Sequence, residues 1–133
     1  SFESLMQRFE DAISQNAAEV KDLIEEITSG ELTNLLKNRF DRGWGNRFER
    51  QALRFVPVYM AAGGKKEDAL DHLLATRILR RGSVTQRYDI KVKDLTTLEQ
   101  SIESVWKSWK SVPKRSRELL SEDRQRKERE QGA

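Results

Sequence analysis

The strongest constraint on this chain is a stripe near its C-terminal third. Leu95, Leu98, Ile102, Val105, Trp106, Trp109 and Val112 recur at intervals of one, three and four residues, a spacing that lays an apolar face along an α-helix. A helix with such a face has to bury it against other elements. Only two prolines interrupt 133 residues, so long helices are favoured over many short strands.

Other segments carry the same period. Phe2, Leu5, Met6, Phe9 and Ile13 predict a first helix. Asn16 is placed to cap a second, with Ala17, Val20, Leu23, Ile24 and Ile27 on one face and Thr28-Ser29-Gly30 as its stop. Leu32, Leu35, Leu36 and Phe40 predict a short third helix. Asp41-Arg42-Gly43-Trp44-Gly45-Asn46 then reads as a turn with an aromatic inside it. Asn46 with Glu49 resembles a capping box, opening a fourth helix through Phe48, Ala52, Phe55, Val56, Tyr59 and Met60, with a kink expected near Leu53 from Pro57. A fifth helix starts at Lys66-Glu67-Asp68 and ends in Arg77, Arg80, Arg81 and Gly82, acids first and bases last, as the helix dipole favours. Residues 83–93 change period. Val84, Tyr88, Ile90 and Val92 share one parity, which predicts a short extended segment with no evident partner strand. Pro113 ends the last stripe. The tail from Lys114 to Ala133 has only Leu119 and Leu120 as sizeable apolar residues, so it is expected to be a solvated helix or disordered.

The expected fold is therefore all-α, a bundle of about five to six helices with one short extended segment at about 83–93. A single helical domain is expected over residues 1–112, divided into N-terminal helices (1–44) and a core (45–112). A charged C-terminal helix or tail follows at 113–133.

Composition excludes several chemistries. There is no Cys, hence no disulfide and no thiolate ligand or nucleophile. A single histidine, His72, rules out a multi-histidine zinc site and a Ser-His-acid set, and its neighbours suggest an ordinary partly buried or surface residue. No apolar run approaches the roughly 18 residues of a membrane span. No signal-peptide pattern opens the sequence, and a soluble cytoplasmic domain is expected. The absence of an initiator Met suggests a piece of something longer. Gly43-Trp44-Gly45 lacks the Lys-Ser/Thr of a phosphate loop. Catalytic residues, metal ligands and a resident cofactor are accordingly not expected.

Charge is unevenly placed. The formal net charge is only +3, yet residues 1–31 set two bases against eight acids, a net of −6. Residues 37–54 set six bases against two acids, net +4, and residues 77–93 set six against one, net +5. Within the first basic stretch, Gly45-Asn46-Arg47-Phe48-Glu49-Arg50 places Arg47 in the first turn of a helix. There the free N–H groups and partial positive charge favour an anion, and a guanidinium can bind phosphate bidentately. Arg50 and Arg54 are auxiliary basic candidates. Pairing of these arginines with surface carboxylates would account for the same residues. Trp44, Trp106 and Trp109 are candidates for a partner surface, if part of their apolar area stays open, and core residues otherwise. Trp44 and Tyr88 among the bases could also serve nucleic-acid binding, a reading that the acidic arm weakens.

Residues 45–112 carry a resemblance. A Gly-x-Arg-led helix is followed by FVPVYMAAGGKKEDALDHLLATRILRR and then by a helix beginning DLTTLEQSIESVW. This order is similar to the C-terminal helical (lid) region of AAA+ ATPases of the MoxR and McrB type, in which an early-Arg helix precedes an "EALD…L…K-[VI]-L-P-R" helix and a last amphipathic helix. The "LPR" of that family stands here as Leu79-Arg80-Arg81, and Walker and sensor-1 segments are absent. The resemblance covers about half of the chain. It implies a lid or assembly domain that is not an enzyme by itself, with ATP or GTP bound by the parent protein. It makes Arg47 the counterpart of the sensor-2 arginine, and it makes other subunits or domains of an ATPase ring the partners. A free-standing protein-interaction module is the alternative, and a nucleic-acid-binding helical domain ranks behind it.

Overall fold

Residues 2–29 form one helix rather than two. A computed structural model describes residues 1–83 and 87–132. In it α1 (Phe2–Ser29) runs unbroken through the predicted cap. The Asn16 side chain donates back to the Ala12 carbonyl at 3.1 Å, inside the helix. Nothing in Ser14-Gln15-Asn16 forbids helical backbone, and burial of Val20, Leu23, Ile24 and Ile27 along one face favours continuing it. Five further α-helices follow: α2 (Glu31–Phe40), α3 (Gly45–Ala61), α4 (Lys66–Leu73), α5 (Val92–Ser108) and α6 (Lys114–Gly132). A π-helical segment, Leu74–Leu79, extends α4.

The all-α expectation is met. Among the described residues there is no strand, and none of their helices is long and apolar enough to cross a membrane. The extended segment is a correction. Val84, Thr85 and Gln86 lie outside the described residues, but 87–91 is a turn and α5 already begins at Val92. The supposed parity fails there, since Tyr88 is 90% exposed while Ile90 is fully buried. Strand-like alternation with no partner strand has no hydrogen-bond ladder to hold it, so the chain turns and starts a helix. Asp94, in the first turn of α5, accepts the Lys91 N–H at 2.8 Å and an Arg39 guanidinium N–H at 2.7 Å. Those two bonds hold its carboxyl below the usual carboxylate range, with Arg39 the larger cause.

The helices pack in a chain of neighbours. α1 lies on α3 and α3 on α4, while α5 lies between α2 and α6, and α6 closes back onto α4 and the π segment. One apolar cluster runs through all of them, centred on Leu70, Leu74, Leu79, Leu95, Leu98, Ile102 and Trp106.

The C-terminal stretch departs most from expectation. Residues 114–132 form a helix docked on the bundle, with Leu119 and Leu120 buried and with Ser116, Asp123 and Lys127 buried as well. The polar residues are accommodated by specific partners. Asp123 accepts the Gly82 N–H at 3.3 Å, and the Lys127 ammonium donates to the Arg87 carbonyl at 2.9 Å. Arg124 and Arg117 clasp Glu99 and Glu103 of α5. At the opposite end Asp71, on α4, accepts the N–H groups of Arg115 (2.8 Å) and Ser116 (3.0 Å), so a carboxylate from another helix caps α6.

Candidate functional site

The turn before α3 folds inward. Trp44 is 8% exposed, its indole N–H donates to the Thr33 hydroxyl at 2.7 Å, and Thr33 in turn donates to the Thr28 carbonyl. Its ring rests on Phe48 at 5.0 Å. Gly45 turns the chain at φ 70° and enters α3 directly. The helix therefore starts one residue before Asn46, and no side-chain bond caps it. The capping box read from Asn46 and Glu49 is not formed at the helix start. Arg47 nevertheless stands in the first turn, exposed, as the sequence placed it.

Opposite lies the end of the π segment. Its last turn is closed by Arg80, whose N–H donates to the Ala75 carbonyl at 2.9 Å with φ at +45°. Positive φ at a residue with a Cβ is uncommon and costs on the order of 1 kcal/mol. π turns concentrate at functional positions. Between this corner and the α3 start is a cavity of about 260 Å³, lined by Arg47, Arg77 and Arg80 over a floor that includes Trp44, Phe48 and Ile78. No carboxylate lines it. Among the described residues none of the three arginines makes an ion pair. Beside it Arg42 donates to the Ser83 hydroxyl, and burial first, then Arg80 and Arg87, push its guanidinium below the ordinary arginine value. Asp41 opposes that shift without cancelling it, so like charges predominate at this corner, which is the electrostatic condition for taking an anion. The uncapped N-terminus of α3 adds free N–H groups on the same side.

The auxiliary candidates separate. Arg50 and Arg54 are exposed on α3 but do not line this cavity, and Arg54 faces a different groove. In sequence, Arg77 and Arg80 stand as helix-ending bases. Their place beside Arg47 depends on the π turn, which no residue pattern signalled. The partner-surface reading is corrected for Trp44 and Trp106, while Trp109 is only partly buried. Trp44 and Trp106 are buried, and Trp109 packs edge-on against Trp106 at 4.9 Å. The large apolar areas of Trp44 and Trp106 are the core's own filling.

His72 is half-buried, its ring tilted against Phe55 at 5.7 Å. It shares a cavity of about 290 Å³ with Asp68, Asp71, Lys114 and Arg115. Both oxygens of Asp71 are engaged by the α6 backbone, so this acid serves as a cap and is not free to act as a base. Burial first, then Arg115, lowers the imidazole pKa below 6.5, with Asp71 opposing and Arg77 adding. On acidification the unfolded chain therefore takes up this proton before the folded one does. The contribution is fully present above about pH 6.5 and is lost as pH falls toward the folded-state pKa. Urea unfolding midpoints should drop between about pH 7.5 and pH 5.5, and His72→Gln should flatten that slope. An unchanged slope in the variant would assign it to other groups.

No group of metal-ligating side chains suited to holding an ion occurs among the described residues. No family model matches the chain, and neither a curated protein nor a solved structure matches it.

Proposed function

We propose that this chain is the helical lid of an AAA+ type ATPase, a domain that performs no chemistry alone and couples nucleotide state to subunit contacts. One observation carries the reading: Arg47, in the first turn of α3, stands unpaired among the described residues and lines one cavity with Arg77 and Arg80. An arginine on a movable helical body, aimed into an acid-free pocket, can close over a phosphate and turn its binding into rigid-body motion. The order of helices over residues 45–112 and the similarity of their motifs to the MoxR and McrB lids support the same role. In that role Arg47 approaches the terminal phosphate of ATP or GTP held by the parent protein. Arg77 and Arg80 supply further positive charge.

Amide chemical shifts of the labelled chain, followed while titrating ATP, tripolyphosphate and adenosine at low salt, test the reading. Shifts are expected around residues 43–48 and 76–81 with both polyphosphates and not with adenosine. Arg47→Ala should weaken the response about tenfold, the loss of one charge-assisted contact. Equal response to adenosine, or none to any polyphosphate, overturns it, as does ATP turnover by the chain alone.

A further inference from the structure

The first two turns of α1 carry an apolar stripe that the fold leaves partly open. Phe2, Leu5, Met6 and Phe9 are 74%, 48%, 42% and 39% exposed. The reason is length. α1 has 28 residues and its main support, α3, has 17, so at 1.5 Å per residue α1 is longer by about 16 Å. Exposed apolar residues scattered singly mean little, but four on one helical face form a patch.

Next to the stripe is a groove of about 560 Å³ between α1, α3 and α4. Its walls are apolar, including Met6, Phe9, Phe55 and Val58. Its charged lining is Arg54 and Arg77, with His72 and without a carboxylate. The helix that bears the stripe carries acids along one edge of it, Glu3 and Glu10, with Arg8 on the other edge. An apolar groove with a cationic rim and an apolar stripe with an anionic edge are complementary, and both belong to this chain. Its own α1 cannot fill the groove, because Met6 and Phe9 already form one wall.

We propose that the groove receives α1 of a second copy of this chain, the two α1 helices lying antiparallel about a two-fold axis. The symmetry follows from the surface itself. Because the stripe is both wall and insert, each copy offers the other the same patch, which closes as an isologous dimer. The contact buries the Phe2–Phe9 stripe of both copies, and Glu3 and Glu10 of each meet the Arg54 side of the other. Arg77 lines both this groove and the phosphate cavity, but Arg47 and Arg80 take no part in the contact.

Sedimentation of the 133-residue chain over a range up to a few hundred micromolar tests this. The mass should rise from 15.5 kDa toward twice that value and stop there, more readily at low salt. Phe9→Glu and, independently, Leu5→Glu should hold the chain monomeric while leaving its helical circular dichroism intact. Arg54→Glu should weaken the dimer about tenfold, because each lost attraction occurs twice. The paired change Glu3→Lys with Glu10→Lys should do the same. An equimolar mixture of these two proteins should regain the lost affinity, since one interface is then charge-swapped and the other native. A wild-type chain that stays monomeric throughout, an open-ended series of larger species, association that both Glu variants leave unchanged, or a mixture no tighter than its components would overturn the proposal.

Discussion

Trp106→Ala should lower the unfolding free energy by about 4 kcal/mol, the range for truncating a fully buried indole. The side chain has no exposed area, sits in the middle of the shared apolar cluster and meets Trp109 edge-on. Its N–H also donates to the Glu67 carbonyl at 3.0 Å, tying α5 to the first turn of α4. Two losses therefore add: a cavity that rigid helices cannot collapse around, and a carbonyl left with one bond fewer. Trp106→Phe separates them. It retains most of the packing and should cost about half as much, with the hydrogen bond accounting for about 1 kcal/mol of that. Urea unfolding followed by far-ultraviolet circular dichroism measures both variants. If Trp106→Ala costs less than about 1.5 kcal/mol, the indole is not the keystone of the α4–α5 contact.

Asp71→Ala should cost about 3 kcal/mol, a value set by loss of a buried, charge-assisted cap. The carboxylate is 3% exposed and both oxygens are used by N–H groups of α6. Without it those donors are buried with no acceptor, and the first turn of α6 loses its counter-charge. Asp71→Asn retains one acceptor oxygen and should cost about half as much. The damage should be regional. Amides in α6 should exchange faster, while those in the α1–α3 pair keep their protection. Uniform loss of protection would mean that α6 and the rest unfold as one unit, with no separate undocking.

Both residues show what the sequence could and could not disclose. The α5 stripe was legible because period alone identifies a face that must be buried, and Leu95, Leu98, Ile102 and Trp106 occupy it. Gly30 was legible as a stop, and Arg47 as a first-turn residue, because local chemistry decides both. α6 was not legible. Its docking rests on two leucines and on polar side chains whose partners lie about forty residues away, as in the Asp123–Gly82 and Lys127–Arg87 bonds. No local pattern encodes such a pairing. Asn16 misled for the reverse reason, since a good capping residue is only a local preference and long-range packing of α1 on α3 overrode it. The Trp106 and Trp109 face read as core before partner surface, but apolar area alone does not say which neighbours will arrive. In the candidate site, one arginine of three was visible. The other two reach the cavity only through a backbone irregularity.

That irregularity has a consequence for how the arginine wall is specified. A π turn accommodates more residues per revolution than an α turn, so between Leu74 and Leu79 the bearing of each side chain is set by how many residues the coil holds. Arg77 and Arg80 keep their aim without any carboxylate to orient them. Their placement is written as arithmetic in the main chain, and tightening the coil by a single residue would swing them to another compass point while leaving every side chain chemically unchanged.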